Sequence, residues 1–199
     1  MQIQSTWMTR AAAAAQAVIS IANVVMGFGV LPAIGFTGMS DFADPEKART
    51  LIAPLVVLEL FKLASAAVVG HVVWHLADDD PPLRPTRWPG VLGVALLIAS
   101  GLIGLYAVMG QRSAEEAATF TALANGFGVW AVAASGVWML WLTWLWRGRP
   151  GIPRGWLILG AAAGFVSLPV PVLAPLAMLV LVLTLAWWVW LALLLQRRA

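Results

Sequence analysis

Along the chain, long apolar runs alternate with short stretches that hold nearly all of the charge. A helix needs about 20 predominantly apolar residues to cross a bilayer. The runs at about 11–36, 51–77, 88–110, 117–146, 155–171 and 173–196 meet or approach that length. Their connections at 41–49, 78–87, 111–116 and 147–154 carry the polar residues and prolines of loops, with Pro81, Pro82 and Pro85 crowded into the second. The stretch from 155 to 196 is too long for one crossing, and Pro169, Pro171 and Pro175 place a break in its middle. The fifth span is then short, and a re-entrant hairpin is the alternative to two full crossings. The pattern predicts an all-α fold: a single integral membrane domain over 1–199, built as a polytopic bundle of six transmembrane helices joined by short loops.

Composition supports this reading. Of 199 residues, 61% are hydrophobic and 11% charged, against about 45–50% apolar and 25% charged in soluble domains. Six spans of about 20 residues would absorb nearly all of the apolar content. Water-soluble globular folds, disordered chains and nucleic-acid-binding modules are therefore excluded. The net charge of +3 is an Arg surplus in short loops, not a basic patch able to hold a phosphate backbone. No cysteine is present, which removes disulfides, thiolate metal ligands and Cys nucleophiles. The expected partners are the lipid bilayer and further copies or other membrane subunits; neither nucleic acid nor a cofactor is expected.

Charge in the loops sets direction. With the N-terminus inside, Arg10, Arg84, Arg87, Arg147, Arg149, Arg154, Arg197 and Arg198 lie inside, and Lys47, Arg49 and Arg112 lie outside. The loops are short, so the positive-inside rule applies and both termini are expected in the cytoplasm. The first span is read as a retained helix, because its apolar run is too long for a signal peptide and no small-x-small cleavage site follows it. A strong preference for Arg over Lys, with abundant Ala, Gly and Pro, points by association to a bacterial plasma membrane.

Eleven of the twelve Trp fall in or near the expected cytoplasmic half, Trp130 being the exception. The reading adopted is an aromatic belt, since an indole suits the headgroup boundary. A pocket lined by indoles is the alternative, suggested by Trp138, Trp141 and Trp144 at three-residue spacing and by Trp187 and Trp190 deep in the last span.

Ionisable residues inside spans are functional candidates by default. Glu59 and Lys62 stand three apart in span two and can pair on one helix face. Gln16, Ser20 and Asn23 form a stripe on span one, which predicts that spans one and two pack with Asn23 near Glu59 and Lys62. Asn125, with Thr121, is expected to join from span four. The cluster reads either as a neutralised pair that fixes helix packing or as a proton- or ion-responsive site. His71 and His75, four apart and followed by Asp78, Asp79 and Asp80, have the spacing of a divalent metal site. The opposing reading is a pair of interfacial His beside an acidic turn balanced by Arg84 and Arg87.

Gly160-x3-Gly164 and Ser100-x3-Gly104 are small-residue faces for close helix approach, within the chain or between copies. The tetrad at 27–30 recurs at 126–129, but the surrounding halves do not align, and it is read as chance. No phosphate-binding loop, nucleophile elbow or zinc-protease motif is present. The leading expectation is a non-enzymatic subunit or interaction partner of a membrane assembly. A small transporter or channel using the Glu59–Lys62 cluster is the alternative, and a membrane enzyme acting on lipid or quinone is the third class.

Overall fold

The computed structural model describes residues 7–37, 41, 44–110, 113–173 and 175–196. Arg112, Arg197 and Arg198, which enter the charge count, lie outside them. Helix α1 (Trp7–Val24) continues through a π-helical segment (Val25–Val30) and a short helical turn (Leu31–Ala33). Then come α2 (Pro45–Asp79), α3 (Arg87–Met109), α4 (Ala114–Trp146), α5 (Arg154–Ser167) and α6 (Leu176–Gln196), with a 3-10 segment (Pro81–Thr86) between α2 and α3. No strand occurs among the described residues, so the all-α reading holds.

Local chemistry sets the helix ends. Asp44 accepts from the backbone N–H groups of Glu46 and Lys47 and starts α2. Ser113 accepts from the Glu116 N–H at 3.1 Å and starts α4, with Glu115 and Glu116 placed against the positive end of the helix. Gly35 and Gly148, both at φ +82°, turn the chain away after α1 and α4, a left-handed backbone that favours glycine.

Among the described residues, five stretches are long and apolar enough to cross a membrane: Trp7–Ala33, Arg49–Asp79, Pro81–Met109, Glu115–Trp146 and Leu176–Gln196. The remaining helix, α5, has only 14 residues, or roughly 21 Å at 1.5 Å per residue, against a hydrocarbon core of about 30 Å. Beyond it the backbone tightens into turns, with Val172 and Leu173 both donating to the Pro169 carbonyl at 2.9 and 2.7 Å. Pro169 and Pro171 have no N–H to continue the helix. The turn is apolar throughout.

Backbone packing runs in ring order. Each helix lies against its neighbours in sequence, and α6 returns to α1. The interior of this ring is filled unevenly. Towards the end that carries Asp80, five indoles make a continuous core: Trp146 to Trp156 at 5.3 Å, Trp156 to Trp187 at 5.1 Å, Trp187 to Trp188 at 5.1 Å and Trp138 to Trp187 at 5.8 Å between ring centroids. All five are buried. A belt therefore describes the outward-facing Trp7, Trp74, Trp88, Trp141 and Trp144, with Trp130 exposed elsewhere and Trp190 half-buried against Gly155. Trp138, Trp141 and Trp144 do not share a face, because each three-residue step drifts about 60° around a helix; Trp138 turns inward and the other two outward.

The same end is tied by charge. Asp80, nearly fully buried, accepts from Trp146 Nε1 at 3.1 Å and from both terminal nitrogens of Arg149, joining the end of α2 to the end of α4. Asp78 pairs with Arg87 at the start of α3. The cations that an acidic helix C-terminus calls for are thus Arg87, one of the two anticipated, and Arg149 in place of Arg84.

Candidate functional site

Two cavities open inside the ring. The first, of about 280 Å³, lies midway along it and is bounded by residues of all six helices. The stripe on α1 faces it as the spacing requires, with Gln16, Ser20 and Asn23 all on its wall. Gln16 sets the register of α1 on α2: its amide nitrogen donates to Ser65 Oγ at 2.7 Å, and the Ser65 hydroxyl donates back to Gln16 Oε1 at 3.0 Å. Across the cavity, Ser167 and Thr184 turn their hydroxyls onto the carbonyls of Ala163 and Val180, each at 2.7 Å. Trp138 and Trp188 close the end nearer Asp80, their rings 6.2 Å apart and 26° from parallel. Among the described residues, no charged side chain lines this cavity.

The second cavity, of about 360 Å³, lies nearer the end that carries Asp41 and holds Glu59, Lys62, Thr121 and Asn125. Lys62 Nζ donates to Glu59 Oε1 at 2.8 Å, and both side chains are mostly shielded, at 27% and 13% exposure. The second carboxylate oxygen, Oε2, is buried with no hydrogen-bond partner. It lies against Gly104, where an added Cβ would collide with the carboxylate. Gly104 is therefore the residue that gives Glu59 its place.

The polar cluster expected around one point is divided between these cavities. Asn125 and Thr121 join Glu59 and Lys62, whereas Asn23, Gln16 and Ser20 line the central cavity, and among the described residues no hydrogen bond links Asn23 to Glu59 or Lys62. The reason is angular. Ser65 faces α1, and Glu59, six residues earlier, stands roughly 120° around the helix, where it meets α3 at Gly104.

The two cavities share one interior face. On α3, Leu97 lines the central cavity and Gly104 the other; on α4, Val132 and Asn125 do the same. Seven residues is two turns, which returns to the same face about 10 Å along the axis. Between them stands Ser100, fully buried, its Oγ without a hydrogen-bond partner. It rests against Gly128, where a Cβ would come within 3.1 Å of that oxygen. The small-residue motifs are thus occupied within the chain: Ser100 by Gly128, Gly104 by Glu59, Gly160 by Thr143 and Trp187, and Gly164 by Gly136 and Leu140.

His71 and His75 lie ring to ring, 4.2 Å between centroids and 44° from parallel. Asp78 is engaged by Arg87, and Asp79 Oδ2 is buried without a partner. Among the described residues, no three His, Asp or Glu side chains converge as a metal-holding group. Asp80, the last acid of this run, is the best connected of the three.

No known protein family matches this chain, and neither the curated proteins nor the solved structures contain a significant match to it.

Proposed function

We propose that this protein is a small transporter whose pathway runs along the interior of the helical ring, with the Glu59–Lys62 cavity as one station and the central cavity as the next. The observation that carries this reading is that the Glu59–Lys62 pair, deep in α2, opens on a cavity shared with Thr121 and Asn125. A pair serving packing alone would be closed in by apolar side chains, since polar groups within a membrane are costly unless they are satisfied or face a cavity. The role of an assembly subunit draws on short loops, a tryptophan belt and small-residue faces, and the faces at Ser100, Gly104, Gly160 and Gly164 are filled within the chain.

In this proposal α5 and the apolar turn after it make up a sixth crossing, both termini lie in the cytoplasm of a bacterial inner membrane, and the Glu59–Lys62 cavity is the outer station. The ion pair is a two-state element. A proton on Glu59 releases Lys62, and the freed ammonium then turns to solute or to water.

Proteoliposomes with an entrapped pH-sensitive dye test this. After an external acid step, the parent protein is expected to dissipate the gradient faster than protein-free vesicles, and Glu59→Gln to slow it to the protein-free rate. Equal rates for parent, variant and empty vesicles overturn the proposal.

A further inference from the structure

We infer that the central cavity binds an uncharged, largely apolar solute carrying one hydrogen-bonding group, with the chemistry of a phenol or a small alcohol. The inference rests on the transport reading only for what becomes of the solute; the binding itself stands on the cavity. Among the described residues, no Asp, Glu, Lys, Arg or His reaches its wall, so an ion there would lie in a low-dielectric interior without a counter-charge.

The polar groups on the wall are mostly occupied. Gln16 and Ser65 satisfy each other, and Ser167 and Thr184 are bonded to their own helices, which leaves their carbon atoms to face inward. Ser20 accepts from the Gln16 amide at 3.3 Å, whereas the Asn23 amide and the Ser135 hydroxyl make no hydrogen bond among the described residues. They offer one donor–acceptor point on each side of an otherwise apolar space. The Trp138 and Trp188 indoles supply a face for a flat apolar body. An apolar cavity of roughly 150 Å³ already holds benzene, so the 280 Å³ found here accommodates a substituted ring.

The Trp walls also give the measurement. With the protein in nanodiscs, 4-bromophenol quenches indole emission on contact; bromobenzene, which lacks the hydroxyl, and the anion 4-bromobenzoate serve as comparators. Saturable quenching by 4-bromophenol is expected, absent from the Trp138→Phe/Trp188→Phe variant and from Thr184→Phe, which grows into the cavity from α6. Ala177→Phe, placed on the exposed first turn of α6 beside the cavity, blocks it without touching the core. Asn23→Leu is expected to weaken 4-bromophenol about fivefold, the worth of one hydrogen bond, and to leave bromobenzene unchanged. Quenching that is linear and identical in parent, Thr184→Phe and Ala177→Phe reflects bilayer partition and overturns the site. Saturable quenching by 4-bromobenzoate equal to that by the phenol overturns the ligand class. Saturable phenol binding in a protein that carries no proton flux leaves this inference standing and defeats the transport reading alone.

Discussion

At Gly104 the absence of one methyl group decides whether the Glu59 carboxylate has room to exist. Gly104→Ala drives a Cβ into that carboxylate, and overpacking of this kind costs about 1–3 kcal/mol. Thermal unfolding of purified protein is expected to show the loss, and the same substitution in a Glu59→Ala background to show little of it; additive losses would mean that the two residues are not in contact. The ion pair predicts its own asymmetry. Lys62→Met leaves a shielded carboxylate alone and is expected to destabilise more than the double variant Glu59→Gln/Lys62→Met, because an unpaired charge is worse than two neutral groups. A double variant less stable than Lys62→Met contradicts this. The charged pair is legible in the sequence because two ions in an apolar run stand out. That Gly104 faces Glu59 is not legible, because a glycine declares small size and nothing about its neighbour.

Single elements show where periodicity informs and where it misleads. The stripe of Gln16, Ser20 and Asn23 was visible in its spacing, and it does face the interior. The side of α2 it meets depended on a rotation about the helix axis that the sequence does not state. Among the tryptophans, the bias of the chain towards one end suggested a boundary layer, yet spacing held the better signal. Trp138, Leu142 and Trp146 recur every four residues and are buried together, whereas Trp141 and Trp144 lie on the other face of the same helix. Brominated acyl chains test this division: they are expected to quench the emission lost in Trp130→Phe and Trp144→Phe, and to spare that lost in Trp187→Phe. Equal quenching of all three would place the indole core against lipid. The link from α2 to α4 is local in the same sense. Asp80→Ala strips Arg149 and Trp146 Nε1 of their shared acceptor and is expected to cost roughly 2–4 kcal/mol, measured as lowered unfolding temperature. An unchanged transition would show that the link is not maintained in solution.

For the whole molecule, composition and hydropathy patterning conveyed class, because a bilayer leaves few ways to arrange apolar helices. They conveyed nothing of the interior, since the cavities arise from how far apart the ring of helices holds residues that look alike in sequence. The central claim is that the two cavities form one path open to small solutes. The absence of cysteine from the chain makes it directly measurable: each single-Cys variant carries one reactive group. Cysteines at positions 125, 132 and 135 of α4 follow the face that lines both cavities, and cysteines at positions 123, 130 and 137 occupy exposed positions on the outside of the ring. With the protein in liposomes and silver ion as the thiol reagent, the account predicts modification of the first set, with the rate falling from 125 towards 135, and protection of the second. Interior cysteines as unreactive as those at 123 and 130 would contradict it, and would leave the Glu59–Lys62 pair a dry fixture of the helix packing.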